Sequence, residues 1–377
     1  MGVLDTGKLW AHSGDSHFLE PTDLWTTILP AKQAARMPRS EKISEDEEIV
    51  HVDGESFHRK LPAVMTKRGA DGLTIAELSV RPPGARNMRD RLRDLDAEGI
   101  WAEVMYASLG LWSNMIKDQT LVREAARAQN EWMVTEIKGV APERLVPAGQ
   151  MPLLSVDDAV AEIHHIAEIG LHVASLPTGV APGMPDWNDG SWEPLWAAAE
   201  EAGIVLGFHI GTDGDTPVVF RGPGGAVINY VETTYGGQKV ATKLVASGAL
   251  DRHPNLRVLI SEGGATWVPF LGDRMNEGYR QHGMFVRPTL SRLPKEILFS
   301  QVYASFQHDE SAPAANSAMG YQNVLWGSDY PHLEGTFGHT QKTLHELFDD
   351  CPPEVRTRIT TGAFVELFPH VSQPPAG

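Results

Sequence analysis

The strongest constraint on the fold is a repeated change of period along the chain. From residue 87 onward, segments with apolar residues at helical spacing are each followed by a short apolar run of strand length. RDRLRDLDAEGI reads as a helix and WAEVMYAS as the strand after it. DQTLVREAARAQNEWMVTEIKGVA is an amphipathic helix leading to the strand RLVPAGQMP, and SVDDAVAEIHHIAEIG is a serine-capped helix leading to LHVASLP. WEPLWAAAEEAG precedes IVLGFHIG, and the mostly helical stretch from Ala226 to Gly248 precedes LRVLISEGG. A helical stretch from Trp267 precedes LFSQVYASF, a short helix precedes NVLWGSDYP, and helices rich in Leu, Glu and Val close the chain. With GKLWAHSGDSH as the first strand, eight strands result. Helical crossovers require parallel strands, and strands buried on both faces are continuously apolar. The pattern predicts an α/β fold, a closed (β/α)8 TIM barrel. A doubly wound open sheet is the rival, but no Gly-x-Gly-x-x-Gly follows the first strand to support it.

The length of 377 residues suits one such domain, 1–377, with an insertion. Residues of about 26–86 break the alternation. VDGESFHRKLP and PPGAR there predict a β-rich cap inserted after strand 1, and TDGDTPVVFRGPGGAV after strand 5 reads as a second lid. Lys and Arg total 32 against 49 Asp and Glu, a formal charge of -17, and no basic block occurs. That excludes nucleic acid and anionic membrane as expected partners. The single cysteine, Cys351, rules out an intramolecular disulfide and fits a reduced, cytoplasmic setting. No apolar run reaches the ~18 residues of a membrane span.

In a barrel of this kind the chemistry sits at the C-terminal ends of the strands. Strand 1 ends in GDSHFLEP, where Asp15 and His17, two apart, can share a face, and Glu20 follows on the loop. Strand 5 ends at His209, strand 6 at Glu262, strand 7 near Gln307, His308 and Asp309, and strand 8 at Asp329 with His332 three residues on. Each residue alone has a plainer reading: His209 as a hydrogen-bonded core histidine, Glu262 as a helix cap, Asp329 as a turn former, Glu20 as a rim ion pair. Together they differ, because charged groups converging inside an apolar barrel are costly unless a cation neutralises them. The constellation therefore predicts a metal centre. Trp101, Tyr106, Trp112, Trp187 and Tyr230 are candidates to line a pocket, and Arg221, Arg274 and Arg280 to meet an anionic group.

DSHFLEPTDLW, FHIGTD, ISEGGATWVPFLGDRM and LWGSDYPHLEGTF, in this order, resemble the amidohydrolase superfamily, in its branch of aminocarboxymuconate-semialdehyde and resorcylate-type decarboxylases. The resemblance runs from about Gly14 to Phe368 and implies a metal-bearing barrel, usually assembled as homodimers or homotetramers. Carried over by position, Asp15 and His17 occupy the strand-1 metal motif, His209 the strand-5 ligand position and Asp329 that of strand 8. Asp15 stands where many members have histidine or glutamate, and Glu262 where the decarboxylases have histidine. No bridging Lys or Glu lies in LHVASLP. The Glu-Pro after the first motif and SDYPH on strand 8 look like the variant that contains nonheme diiron monooxygenases.

Two readings of function follow. In the first, the chain is an oxidoreductase, a diiron monooxygenase that hydroxylates an organic acid or its CoA thioester with O2. Two Fe ions would be held by Asp15, His17, Glu20, His209, Glu262, Asp329 and His332, with Glu262 and His308 also serving catalysis. Mixed carboxylate and imidazole donors suit iron or manganese. In the second, one Zn or Mn ion is held by Asp15, His17, His209 and Asp329 in a hydrolase or decarboxylase, with Glu262 as general base on the bound water.

Overall fold

The computed structural model describes residues 7–375 apart from 45, 61–63, 69–73, 80–81, 109–115, 182, 213–219 and 221. Trp112, Arg221 and much of the segment after strand 5 lie outside the described residues. The first strand arrives in two pieces, β1 (Ala11–Ser13) and β2 (His17–Phe18). Sequence reading makes residues 7–17 one strand. At the break, Gly14 lies close against the closing strand: a Cβ on it would be 3.0 Å from that of Leu325.

The insertion follows. It begins with two short helices, Leu24–Ile28 and Ala31–Ala34. Next comes an antiparallel sheet of β3 (Arg39–Lys42), β4 (Glu47–Val52) and β5 (Glu55–Lys60), then a hairpin of β6 (Val64–Arg68) and β7 (Thr74–Ser79). The β4–β5 hairpin pairs Val52 with Glu55 across a two-residue turn in which Asp53 and Gly54 both have positive φ, 47° and 87°. That Asp-Gly pair is the sequence signal for such a turn. The insertion is seated on the loop and helix after the next barrel strand. Leu24, Trp25, Met37 and Val52 pack with Ile116, Leu121 and Ala125. Arg36 bonds Asp53 (2.8 Å) and Asp118 (2.7 Å).

The barrel then continues through β8 (Ile100–Ala107), β9 (Leu145–Gln150), β10 (Val173–Pro177), β11 (Val205–His209), β12 (Val258–Ser261), β13 (Val302–Phe306) and β14 (Val324–Trp326). All neighbours are parallel, in the order β1-β8-β9-β10-β11-β12-β13-β14, with β2 also on β8. The ring closes where the first strand meets the last: Gly14 donates to the Trp326 carbonyl (2.8 Å), Asp329 to that of Asp15 (3.0 Å) and His17 to that of Tyr330 (2.6 Å). Among the described residues no helix is long and apolar enough to cross a membrane. One boundary differs from the sequence reading: Leu298–Gln301 belong to a helix, Pro294–Gln301, and only Val302–Phe306 are strand. Pro294 opens that helix and Glu296 accepts from the Leu293 N–H (2.8 Å), which is enough to carry the helix up to the β-branched Val302.

The period of two sorts the strand residues. Met105, Ala107, Leu206, Phe208, Ile260 and Phe306 face the helices, whereas Val104, Tyr106, Val205, Leu259, Tyr303 and Leu325 fill the interior. Phe364 and Phe368 belong to this interior core, and Phe364 stacks on His12. Above the apolar layer lies a belt of hydroxyls: Tyr106 bonds Ser261 (2.8 Å), Ser261 donates to the Gly14 carbonyl (3.2 Å), and Ser13 meets Ser328 (3.1 Å). Gly207 makes room for Tyr106 in this belt, since a Cβ there would sit 2.6 Å from the phenolic oxygen. Gly207→Ala is accordingly expected to destabilise the chain by ~1–3 kcal/mol, as overpacking typically does. Urea unfolding of parent and variant side by side measures it, and an unchanged midpoint would mean that Tyr106 moves freely.

Candidate metal centre

The belt of hydroxyls is the floor on which the strand ends place their charged side chains. Asp15 lies between β1 and β2, His17 opens β2, His209 ends β11, Glu262 follows β12, and Asp329 and His332 follow β14. Two of these positions are strained. Glu262 has φ 63° and Asp329 φ 52°, left-handed values that non-glycine residues rarely adopt. At each the backbone turns sharply out of the strand, so the side chain stays at the barrel axis. The Glu262 N–H is held by the Ser305 hydroxyl at 2.9 Å. Strain of this kind costs on the order of 1–3 kcal/mol and persists where surroundings enforce it, commonly at functional sites.

The polar atoms converge. His17 Nε2 and His209 Nε2 are 2.9 Å apart. His209 Nε2 lies 3.4 Å from Asp15 Oδ1 and 3.5 Å from Glu262 Oε2, and His17 Nε2 lies 3.6 Å from Asp329 Oδ1. His332 stacks on His17 with ring centres 3.9 Å apart and brings Nδ1 to 2.9 Å from Asp329 Oδ1. Asp15, His17, His209 and Glu262 each offer one donor atom within 4.8 Å of all the others; so do His17, Asp329 and His332, and Glu262, Asp329 and Glu334. Apart from Glu334 and the partly open His332 these side chains are buried or nearly so, and neither oxygen of Asp15 has a well-formed hydrogen bond.

Burial and mutual charge set the protonation. His209 feels desolvation, which lowers its pKa, but Asp15 and Glu262 outweigh it and push it up to about 10. Its Nδ1–H donates to the Ile210 carbonyl (2.7 Å), which turns Nε2 toward the carboxylates. His17 goes the other way: burial first, then His332, His209 and Arg91, hold it well below 6.5. A protonated His209 thus donates to a neutral His17. Glu262 is driven well above 4.5 by burial, then by Asp329 and Asp15. Acidic side chains crowded around a protonated imidazole, with Glu262 held less acidic than usual, make a donor set suited to a cation. Imidazole nitrogens and carboxylate oxygens at these spacings fit a divalent ion.

Other candidates fall outside the cluster. Glu20 is buried at the barrel rim, with its carbonyl near Arg86 (3.3 Å), and does not share any of the three donor sets. His308 is exposed, meets the Glu334 carbonyl at 3.1 Å and stacks on His339. Among the aromatic candidates, Tyr106 packs against His209, with ring centres 5.0 Å apart. Tyr230 is half exposed, and partial burial first, then Glu262 and the neighbouring acids, push its hydroxyl up to about 12. Trp187 stacks among Trp192, Trp196 and Phe208 outside the barrel, and Trp101 against Trp10. Arg274 pairs with Glu277 on its own helix. Sequence reading missed Glu334, Arg91 and Glu103. Glu103 left a signal, being the one acid in the strand WAEVMYAS.

Residues 82–368 match the family model described as Amidohydrolase. The chain is 24% identical to a decarboxylase, yanB, of Aspergillus niger over 197 residues, which cover 49% of this chain and 51% of that protein, so the match spans about half the relative's length. It is also 24% identical to a 6-methylsalicylic acid decarboxylase of Penicillium expansum, over 67% of this chain and 78% of the relative. Among solved structures, amidohydrolase map2389c of Mycobacterium avium subsp. paratuberculosis K-10 superposes with TM-score 0.78 at 19% identity, covering 97% of this chain and 98% of that one. A dihydroxybenzoic acid decarboxylase of Polaromonas sp. JS666, with bound manganese and the inhibitor 2-nitroresorcinol, superposes with TM-score 0.60 at 16% identity, over 96% of this chain and 97% of the other. These findings correct one expectation. An oxidoreductase, in the form of a diiron monooxygenase, is overturned by the relatives, which are decarboxylases and amidohydrolases. By its match over most of its length, this chain belongs to the amidohydrolase family.

Proposed function

We propose that the chain is a mononuclear metal-dependent decarboxylase of a small hydroxylated aromatic acid. One observation carries the reading. The separations of 2.9 Å between His17 and His209, 3.4 Å between His209 and Asp15 and 3.6 Å between His17 and Asp329 suit the edges of one coordination shell. Ligands bound at ~2.1 Å stand about 3.0 Å apart at right angles and about 3.4 Å apart at tetrahedral angles. His17 and His209, with Asp15 and Asp329, would hold the ion, Mn2+ or Zn2+. When bound, the ion supplies a Lewis acid for an anionic substrate in an otherwise acidic site.

The chain's own residues do the rest. Decarboxylation breaks a C–C bond, releases CO2 and leaves an electron pair on carbon that must take up a proton. Glu262, made less acidic than an ordinary carboxyl by burial and its neighbouring acids, is placed to hold and deliver that proton. It regains it from water at the mouth. Tyr106 packs on the imidazole of His209 from below, and the Ile210 carbonyl holds the other ring nitrogen, so that imidazole keeps one orientation. The decarboxylase relatives support the substrate class.

The test is turnover of a panel of hydroxybenzoates under nitrogen, by chain stripped with a chelator and reloaded with Mn2+ or Zn2+. The expected result is metal-dependent CO2 release with one deuterium entering the vacated carbon in D2O. Hydrolysis of amide or ester substrates without CO2 release would overturn decarboxylation and install Glu262 as a base acting on water.

A further inference from the structure

Behind the donor cluster lies a second set of charges. Arg91, on the helix Met88–Glu98, is completely buried. Its Nε and Nη2 grip the carboxylate of Glu103 on β8, the latter at 3.0 Å, and Glu103 is completely buried too. The remaining nitrogen, Nη1, donates to the carbonyl of His17 at 2.7 Å. The guanidinium lies against the ring of Tyr330, 4.5 Å from its centre, and the Tyr330 hydroxyl donates to Asp94, one turn further along the same helix, at 2.7 Å. Gly84 is moulded to this arrangement: a Cβ there would meet Asp94, the Tyr330 hydroxyl and the Arg91 backbone at 2.3–2.8 Å.

A buried ion pair is a poor source of stability, because the loss of hydration offsets most of the attraction. Its value lies in geometry, and this one faces the two chain segments that close the barrel. His17 is the strand-1 donor, and Tyr330 directly follows Asp329, the strand-8 donor. The same two segments are also joined by bonds from Gly14 N to Trp326 O (2.8 Å), His17 N to Tyr330 O (2.6 Å), Asp329 N to Asp15 O (3.0 Å) and Ser328 N to Ser13 Oγ (2.8 Å), so the clamp acts on a seam that is already closed. Fixing the His17 carbonyl sets the backbone from which the imidazole projects, and packing the Tyr330 ring does the same for the strained Asp329.

We infer that Arg91, locked by Glu103, is a positioning residue that sets the spacing of His17 and Asp329 for the metal ion. The inference rests on the metal-dependent reading above. A lysine at 91 keeps one charge but lacks the planar fork that serves Glu103 and His17 together. The double replacement Arg91→Met with Glu103→Leu removes both charges and restores packing volume, a change that such pairs often tolerate.

The experiment measures Mn2+ affinity of the full chain by electron paramagnetic resonance, together with the melting temperature of the metal-free form. For Arg91→Lys and for the double variant, affinity is expected to fall roughly 10–100-fold, the scale on which groups behind a ligand act. Metal-free melting of the double variant should stay close to that of the parent. Unchanged affinity in either folded variant overturns the inference, whatever happens to melting. Failure of both variants to fold also overturns it and leaves Arg91 a brace for the barrel. If the parent itself binds no Mn2+, the metal-dependent reading fails first, and that result is distinct.

Discussion

His209→Ala is expected to fold and to lose the metal. The loss should exceed the roughly 10–100-fold cost of removing a group that merely supports a ligand. His209 ends β11, and the hydroxyl floor beneath it, including the Tyr106–Ser261 bond, does not depend on its imidazole. Removing the ring takes away the nitrogen that stands 3.4 Å from Asp15 and 3.5 Å from Glu262. The pH dependence carries a second signature. In the parent, two carboxylates hold His209 protonated up to about 10, so a cation must displace a proton to bind. Affinity in the parent should therefore rise with pH from neutral toward 10. In His209→Ala the residual affinity should rise less steeply. Linkage gives the matching sign in the metal-free chain. A histidine raised above 6.5 contributes stability that is complete below 6.5 and disappears as pH rises through about 10. The deficit in melting temperature of His209→Ala should then be larger at pH 6 than at pH 10. Calorimetric titration of Mn2+ at several pH values, with thermal melts beside it, reads both effects. Unaltered metal content in His209→Ala would return the residue to the role of a core histidine.

Glu262→Gln is expected to separate binding from chemistry. The amide keeps the size of the side chain and leaves the bond from the Glu262 N–H to Ser305 in place, but it has no proton of the required acidity. If Glu262 is the proton donor, metal per chain should stay at the parent value while turnover falls by roughly 10²–10⁴-fold. If Glu262 is instead a ligand, as its place among the four converging donors permits, metal per chain falls as well. Metal analysis alongside the rate of CO2 release distinguishes the two. Full turnover in the variant would remove Glu262 from the chemistry and leave its strained φ of 63° without a functional reason.

Periodicity alone was enough for the barrel, because a buried parallel strand must be apolar on both faces and a crossover helix must be amphipathic. Both demands are local and are written in consecutive letters. The Asp53–Gly54 turn was legible for the same reason: its positive φ values favour those residue types. The gathering of Asp15, His17, His209, Glu262, Asp329 and His332 at one mouth was legible too, since a charge at the end of an apolar run has few places to go. The same rule selected Glu20 and His308, which the structure leaves outside the donor sets. A charge at a strand end can turn to the rim as easily as to the axis, and only the backbone angle decides. For Glu262 and Asp329 that angle is a left-handed φ that no propensity foretells, imposed by neighbours such as Ser305 and the closing first strand.

The sequence by itself thus determined which elements form, in what order, and that acids and histidines gather at one mouth. The tertiary structure decided which of them meet, at 2.9–3.6 Å, and which groups hold them there. Arg91 and Glu103 stand 12 residues apart, and Arg91 reaches the His17 carbonyl 74 residues away, so no local pattern could announce the clamp. The physical reason is one of range. Secondary structure is set by interactions over a few residues, whereas the orientation of a buried charge is set by whatever the completed fold brings within hydrogen-bonding distance.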